Sequence, residues 1–178
     1  MLLSQQRLLI DYRHFDAASI APRYEFGYGL SYTTFVYSGS SFATVTGQQD
    51  QDGSLEANWL AGKPNPQAIG SSTALWLHRP FIDLTFMVQN AGKVTGTEIA
   101  QVYVHFPKGS GEPPSVLRGF TDVTLQAGQT QTITITLSRY DLSIWDTQSQ
   151  SWMRALGTYS ASVGGSSRDL KLNIQLPF

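Results

Sequence analysis

From residue 81 onward, apolar side chains recur at every second position, the period required of a strand with one buried face. In 81–89, Ile82, Leu84, Phe86 and Val88 form the apolar set, with Asp83, Thr85 and Gln89 between them. Asn90-Ala91-Gly92-Lys93 supplies residues tolerant of positive φ, and Ala100, Val102, Val104 and Phe106 share one side of 98–106, so the spacing predicts a connected strand pair. Thr121, Val123 and Leu125 continue the pattern before an Ala127-Gly128 turn. In 131–137, Ile133, Ile135 and Leu137 point inward and Thr132, Thr134 and Thr136 outward, a β-branched alternation suited to an antiparallel sheet. Tyr159, Ala161 and Val163, then Leu170, Leu172, Ile174 and Leu176, mark the last two strands.

Short strands separated by turn signals predict an all-β antiparallel β-sandwich of immunoglobulin or fibronectin type III kind. The first 80 residues depart from the period. Leu8 to Phe15 could form a strand, and 22–31, crowded with glycine and aromatics, reads as an ordered connecting arm. The sequence therefore divides into an extended N-terminal arm (1–31) and a sandwich (32–178), whose first strand breaks at Ser38-Gly39-Ser40. A long loop insertion at about 46–80, rich in Gly and Pro, is expected to be functional or mobile.

With 12 Lys+Arg against 13 Asp+Glu, and charged residues only 14% of 178, a polybasic nucleic-acid binder is excluded. The 41% hydrophobic content supports one packed core. Zero cysteines exclude disulfides, thiolate metal sites and a Cys nucleophile. Leu2-Leu3 is interrupted by Ser4-Gln5-Gln6-Arg7, so no export signal or membrane span is read in this chain.

A glycosidase acid/base pair needs two opposed carboxylates, and none stands out. Asp141 and Asp146 lie beside Ser and Thr and read as turn caps. Asp50, Asp52 and Glu56 lack the twelve-residue calcium pattern. His14, His78 and His105 have no second histidine at ligand spacing. No catalytic, cofactor or metal residue is therefore assigned. Trp145 and Trp152 flank a turn and are expected to pack over the end of the sandwich. Trp59 and Trp76, near His78 in the polar insertion, lack periodic partners; surface stacking on polysaccharide or lignin and anchoring of the loop are equally open to them.

Asp11-Tyr12-Arg13-His14-Phe15-Asp16, followed by Pro22-Arg23-Tyr24-Glu25-Phe26-Gly27-Tyr28-Gly29-Leu30-Ser31-Tyr32-Thr33-Thr34-Phe35, closely resembles the entry into the C-terminal domain of glycoside hydrolase family 3 β-glucosidases. Gly96-Thr97-Glu98, Leu117-Arg118-Gly119-Phe120, Asp141-Leu142-Ser143, Gly157-Thr158-Tyr159 and Ser166-Ser167-Arg168-Asp169-Leu170 resemble the same domain in order. The resemblance implies a fibronectin type III-like sandwich, the third domain of an extracellular enzyme that releases glucose from β-glucosides such as cellobiose. In that family the nucleophile is an Asp in a Ser-Asp-Trp context and the acid/base carboxylate comes from a middle domain. No Ser-Asp-Trp occurs here, so no catalytic role carries over.

The expected role is structural support of the family's catalytic domains, in cis, with polymer binding through Trp59, Trp76 and His78 as the alternative. Leu9, Ile10, Tyr12, Arg13, Phe15, Phe26 and Tyr28 would contact the preceding domain. Without that cover, the arm is expected either to fold back on its own sandwich or to leave an apolar patch that promotes self-association.

Overall fold

The computed structural model describes residues 8–45, 53–65 and 73–178. Among the described residues, nine strands follow in order: β1 (Phe35–Thr44), β2 (Pro80–Asn90), β3 (Gly96–His105), β4 (Val116–Leu125), β5 (Thr130–Ser138), β6 (Ile144–Asp146), β7 (Ser151–Met153), β8 (Ser160–Gly164) and β9 (Leu170–Gln175). They form a three-stranded sheet β1-β2-β5, a four-stranded sheet β4-β3-β8-β9 and a small β6-β7 ribbon, every pairing antiparallel. This is the sandwich that the alternation predicts.

The core lies between the two larger sheets. Ile82, Leu84, Phe86, Val88, Ile133, Ile135 and Leu137 come from the first, and Ala100, Val102, Val104, Val123, Leu125, Ala161 and Val163 from the second, all buried. Each is a member of a predicted apolar face. The first strand bulges between Ser38 and Ser41, where the sequence placed its break.

Three local expectations are corrected. The 81–89 and 98–106 runs are not paired with each other: β2 lies in one sheet and β3 in the other, so the intervening turn crosses the sandwich. Asn90 pins that corner, fully buried, donating to the carbonyls of Val94 and Leu125 at 2.8 and 2.9 Å. Alternation identifies a buried face but not the strand beside it.

The Leu8–Phe15 run is not a strand. Tyr12–Ala17 form a short helix, α1, opened by Asp11 at φ 59°. Tyr12, Phe15 and Asp16 stand at i, i+3 and i+4 and so share a face, a spacing that serves a helix and not a strand.

The described part of the insertion is not bare loop. It carries α2 (Gly53–Leu60) and α3 (Leu75–His78), packed on the core through Trp59, Trp76 and Leu77. Asp50, Asp52, Pro66 and Gly70 lie outside the described residues.

Candidate functional site

The arm folds back onto the outer face of the four-stranded sheet. Strand β3 turns Gln101 and Tyr103 outward, opposite the core-facing Val102 and Val104, yet they are only 3% and 0% exposed. The arm buries them. Tyr12 stacks on Phe26 at 4.6 Å and meets Tyr103 edge-on at 5.9 Å. Its hydroxyl accepts the Leu117 N–H at 2.8 Å. Burial pushes the phenols of both Tyr12 and Tyr103 up from the usual value.

Polar contacts fix the register of this packing. Gln101 Nε2 donates to the Gly27 carbonyl at 3.2 Å and the Gly165 carbonyl at 2.6 Å, while its Oε1 accepts the Tyr103 hydroxyl at 2.6 Å. Gly27 sits at φ 80°, and a Cβ there would collide with the Gln101 amide, so only glycine admits this approach. The Ser167 N–H donates to the Phe26 carbonyl at 2.9 Å. Arg168 pairs with Asp16 at 2.9 Å and donates to the Ile20 carbonyl at 2.7 Å, tying α1 to the β8–β9 turn.

The other side of the arm is uncovered. Leu30 is 90% exposed, Tyr32 102% and Tyr24 65%, and Ile10, Ile20 and Tyr28 are also exposed. Among the residues expected to meet a neighbouring domain, Tyr12, Arg13 and Phe15 are half-buried within α1, and Leu9, just before it, is half-buried too. Ile10, Phe26 and Tyr28 remain on the surface. Leu30 and Tyr32 were not singled out by the sequence, because their neighbours in the same aromatic run carry the internal packing.

Beneath the arm lies a cavity of about 420 Å³ lined by Glu25, Glu98, Arg168 and Asp169 among others. Glu98 Oε1 accepts the Tyr37 hydroxyl at 2.9 Å, joining the edge of one sheet to the other. Burial, with the Asp169 carboxylate nearby, raises Glu98 above the usual carboxylate range, against the opposing pull of Tyr37 and Lys171. No group of three or more His, Cys, Asp or Glu is arranged to hold a metal ion among the described residues.

The polymer-stacking expectation for Trp59 and Trp76 is corrected. Trp59 is 0% exposed and Trp76 8%, so neither presents a ring face to a sugar or phenolic. Trp59 Nε1 donates to Ser143 Oγ at 2.8 Å and its ring meets Phe81 edge-on at 5.0 Å. Arg139, 3% exposed, donates to the Trp76 carbonyl at 2.8 Å and pairs with Glu56 at 2.8 Å, so one guanidinium holds α2 and α3 together. These indoles anchor the insertion. His78 is exposed, with its ring 5.0 Å from Tyr140. Tyr140 in turn meets Trp152 at 4.8 Å, and Trp152 meets Trp145 at 5.3 Å, over the β6-β7 ribbon. Asp141 and Asp146 cap turns: Asp141 accepts from Ser138 N–H at 2.9 Å and Asp146 from Ser149 N–H at 2.8 Å.

Comparison with known proteins agrees with this architecture. Residues 98–167 match the fibronectin type III-like domain family. A probable β-glucosidase L of Aspergillus fumigatus is 46% identical over 165 residues, which is 92% of this chain and 20% of the relative. The crystal structure of a β-D-glucoside glucohydrolase from Trichoderma reesei superposes with a TM-score of 0.82 at 39% identity, over 99% of this chain and 24% of that one. A glycoside hydrolase family 3 β-glucosidase from Neurospora crassa gives a TM-score of 0.76 at 27% identity, over 94% and 27%. The chain thus spans about one fifth of the length of the curated relatives it matches.

Proposed function

We propose that this chain, a fibronectin type III-like sandwich whose relatives are family 3 β-glucosidases, is a non-catalytic accessory domain that supports the catalytic parts of such an enzyme in cis. The reaction of the intact enzyme is hydrolysis of terminal β-D-glucosyl residues, and an extracellular setting is part of the same proposal. The observation that carries it is the two-sided arm. One side is committed to Gln101 and Tyr103, and the other leaves Tyr24, Leu30 and Tyr32 uncovered next to the segment that, in the relatives, belongs to a chain about five times as long.

The arrangement suits a brace. A rigid sandwich supplies an anchored surface, and a surface already ordered loses little conformational entropy when a neighbour packs on it. The test is turnover of an aryl β-glucoside by the pure chain, with the Trichoderma reesei enzyme as positive control. No turnover by the chain is expected. Glucose release that co-purifies with the chain and disappears on replacing one of its carboxylates would overturn the assignment.

A further inference from the structure

Five residues at the junction of arm and sandwich, Tyr28 to Tyr32, are slung between two anchors. Upstream, the carbonyls of Phe26 and Gly27 are held by Ser167 N–H and Gln101 Nε2. Downstream, Thr33 Oγ1 donates to Asn90 Oδ1 at 2.5 Å and the Thr34 carbonyl accepts Ala91 N–H at 2.8 Å. Between them, among the described residues, hydrogen bonding is local: Tyr28 N–H to the Glu25 carbonyl, and Thr33 N–H to Ser31 Oγ. Cavities of about 420 and 330 Å³ adjoin this strap, both lined by Tyr28, Gly29, Leu30 and Ser31 together with Glu98 and Asp169. Leu30 and Tyr32 are 90% and 102% exposed, the most exposed large apolar side chains described.

We propose that Leu30 and Tyr32 are the insertion residues of the docking face, entering an apolar groove on the sugar-cleaving part of a family 3 β-glucosidase. This rests on the accessory-domain reading and deepens it by dividing the arm's labour. Tyr12 packs on Tyr103 of its own sandwich and stacks on Phe26, so its ring is committed within this chain, and Phe26 is 38% exposed against 90% and 102% for Leu30 and Tyr32. Leu30 and Tyr32 touch little of this chain, and the fixed ends of the strap hold them in place before contact. Large side chains on an anchored segment that fill a desolvated pocket are what dominate interface energetics. The occupant is a groove of the same enzyme, because the homologous segment of the relatives is continuous with a chain about five times its length.

The experiment replaces the homologous segment of the Aspergillus fumigatus β-glucosidase L with this chain, as wild type and as Leu30→Ser/Tyr32→Ser. The wild-type chimera is expected to be active and to unfold as one unit. In the double variant, protease cleavage at the strap should rise about 30-fold, the factor lost with a strong buried anchor. In the isolated chain, the same double substitution should leave the unfolding midpoint unchanged. A misfolded or inactive wild-type chimera would overturn the accessory-domain reading, and this inference with it. An active chimera whose strap is equally resistant with and without the substitutions would overturn the inference alone. Dimerisation of the isolated chain that the double variant abolishes, with an unaffected chimera, would assign the strap to a second copy and overturn it too.

Discussion

The ring of Tyr12 meets the ring of Tyr103 edge-on, with centroids 5.9 Å apart and planes at 83°, across the outer face of the four-stranded sheet. That contact turns a sheet face that would meet water into an interior. Replacing Tyr12 by Ala removes this contact and the Phe26 stack, and strips the Leu117 N–H of its acceptor. The expected cost is about 2–4 kcal/mol of stability. Urea denaturation measures it, and faster proteolysis between α1 and the strap locates it.

Gln101 has a donor and an acceptor requirement at once. Its amide donates to the Gly27 and Gly165 carbonyls and accepts from Tyr103. Gln101→Leu removes the partner of the buried Tyr103 hydroxyl and of the partly buried Gly27 and Gly165 carbonyl contacts, and should destabilise the chain by about 1–3 kcal/mol. Gln101→Glu should be worse at neutral pH, because a carboxylate then faces two carbonyls that can only accept. Equal midpoints for the two variants would contradict this orientation of the Gln101 amide.

The inner faces of both sheets were legible in the sequence because alternation is imposed locally by the strand itself. Ile82 to Val88 and Ile133 to Leu137 needed no knowledge of their partners. Gln101 and Tyr103 were not legible as buried, since their cover lies some 75–90 residues away in the arm. Trp59 likewise finds its hydrogen-bond acceptor, Ser143, 84 residues away. Period-two reading is blind to a strand buried on both faces by something outside its own sheet.

Glu98 and Glu112 both titrate above the usual carboxylate range in the folded chain, each chiefly through burial. A carboxylate raised in the folded state binds its proton more tightly there than in the unfolded chain. Its contribution to stability is therefore complete below the unfolded value, about pH 4.3, and is lost as pH rises through the folded value. Stability should fall from mildly acidic toward neutral pH across that window. Glu98→Gln should flatten part of the slope while keeping the bond to Tyr37, and chemical denaturation across the range checks both. A slope unchanged by the substitution would show that Glu98 is not one of the groups responsible.

Arg139 is one link between the insertion and the sandwich, beside the Trp59–Ser143 bond, and its loss should separate their stabilities. Arg139→Ala would leave the Trp76 carbonyl and Glu56 without their guanidinium. A fully buried pair broken this way costs roughly 3–5 kcal/mol, and the partial exposure of Glu56 lowers the expected loss to about 2–3. Hydrogen exchange should show α2 and α3 losing protection before β2 and β3. If all four elements lose protection together, the insertion is part of the sandwich's own cooperative unit.

His105 is locked into one tautomer by a chain of bonds with a single consistent direction. The Pro114 carbonyl, 2.8 Å from Nδ1, can only accept, so Nδ1 carries the proton. Nε2 must then accept, and Ser162 Oγ at 2.8 Å is its donor. Ser162 Oγ is left to accept from Asn173 Nδ2 at 2.9 Å, which completes the sequence from β9 through β8 to β3. Nitrogen-15 shifts should report the Nδ1–H form for neutral His105. Ser162→Ala deprives both Asn173 and His105 of a partner and should cost about 1–2 kcal/mol, whereas Ser162→Thr retains the hydroxyl and should cost less. A neutral Nε2–H imidazole in the wild type would leave Nδ1 and the Pro114 carbonyl facing each other as two acceptors and would overturn this assignment.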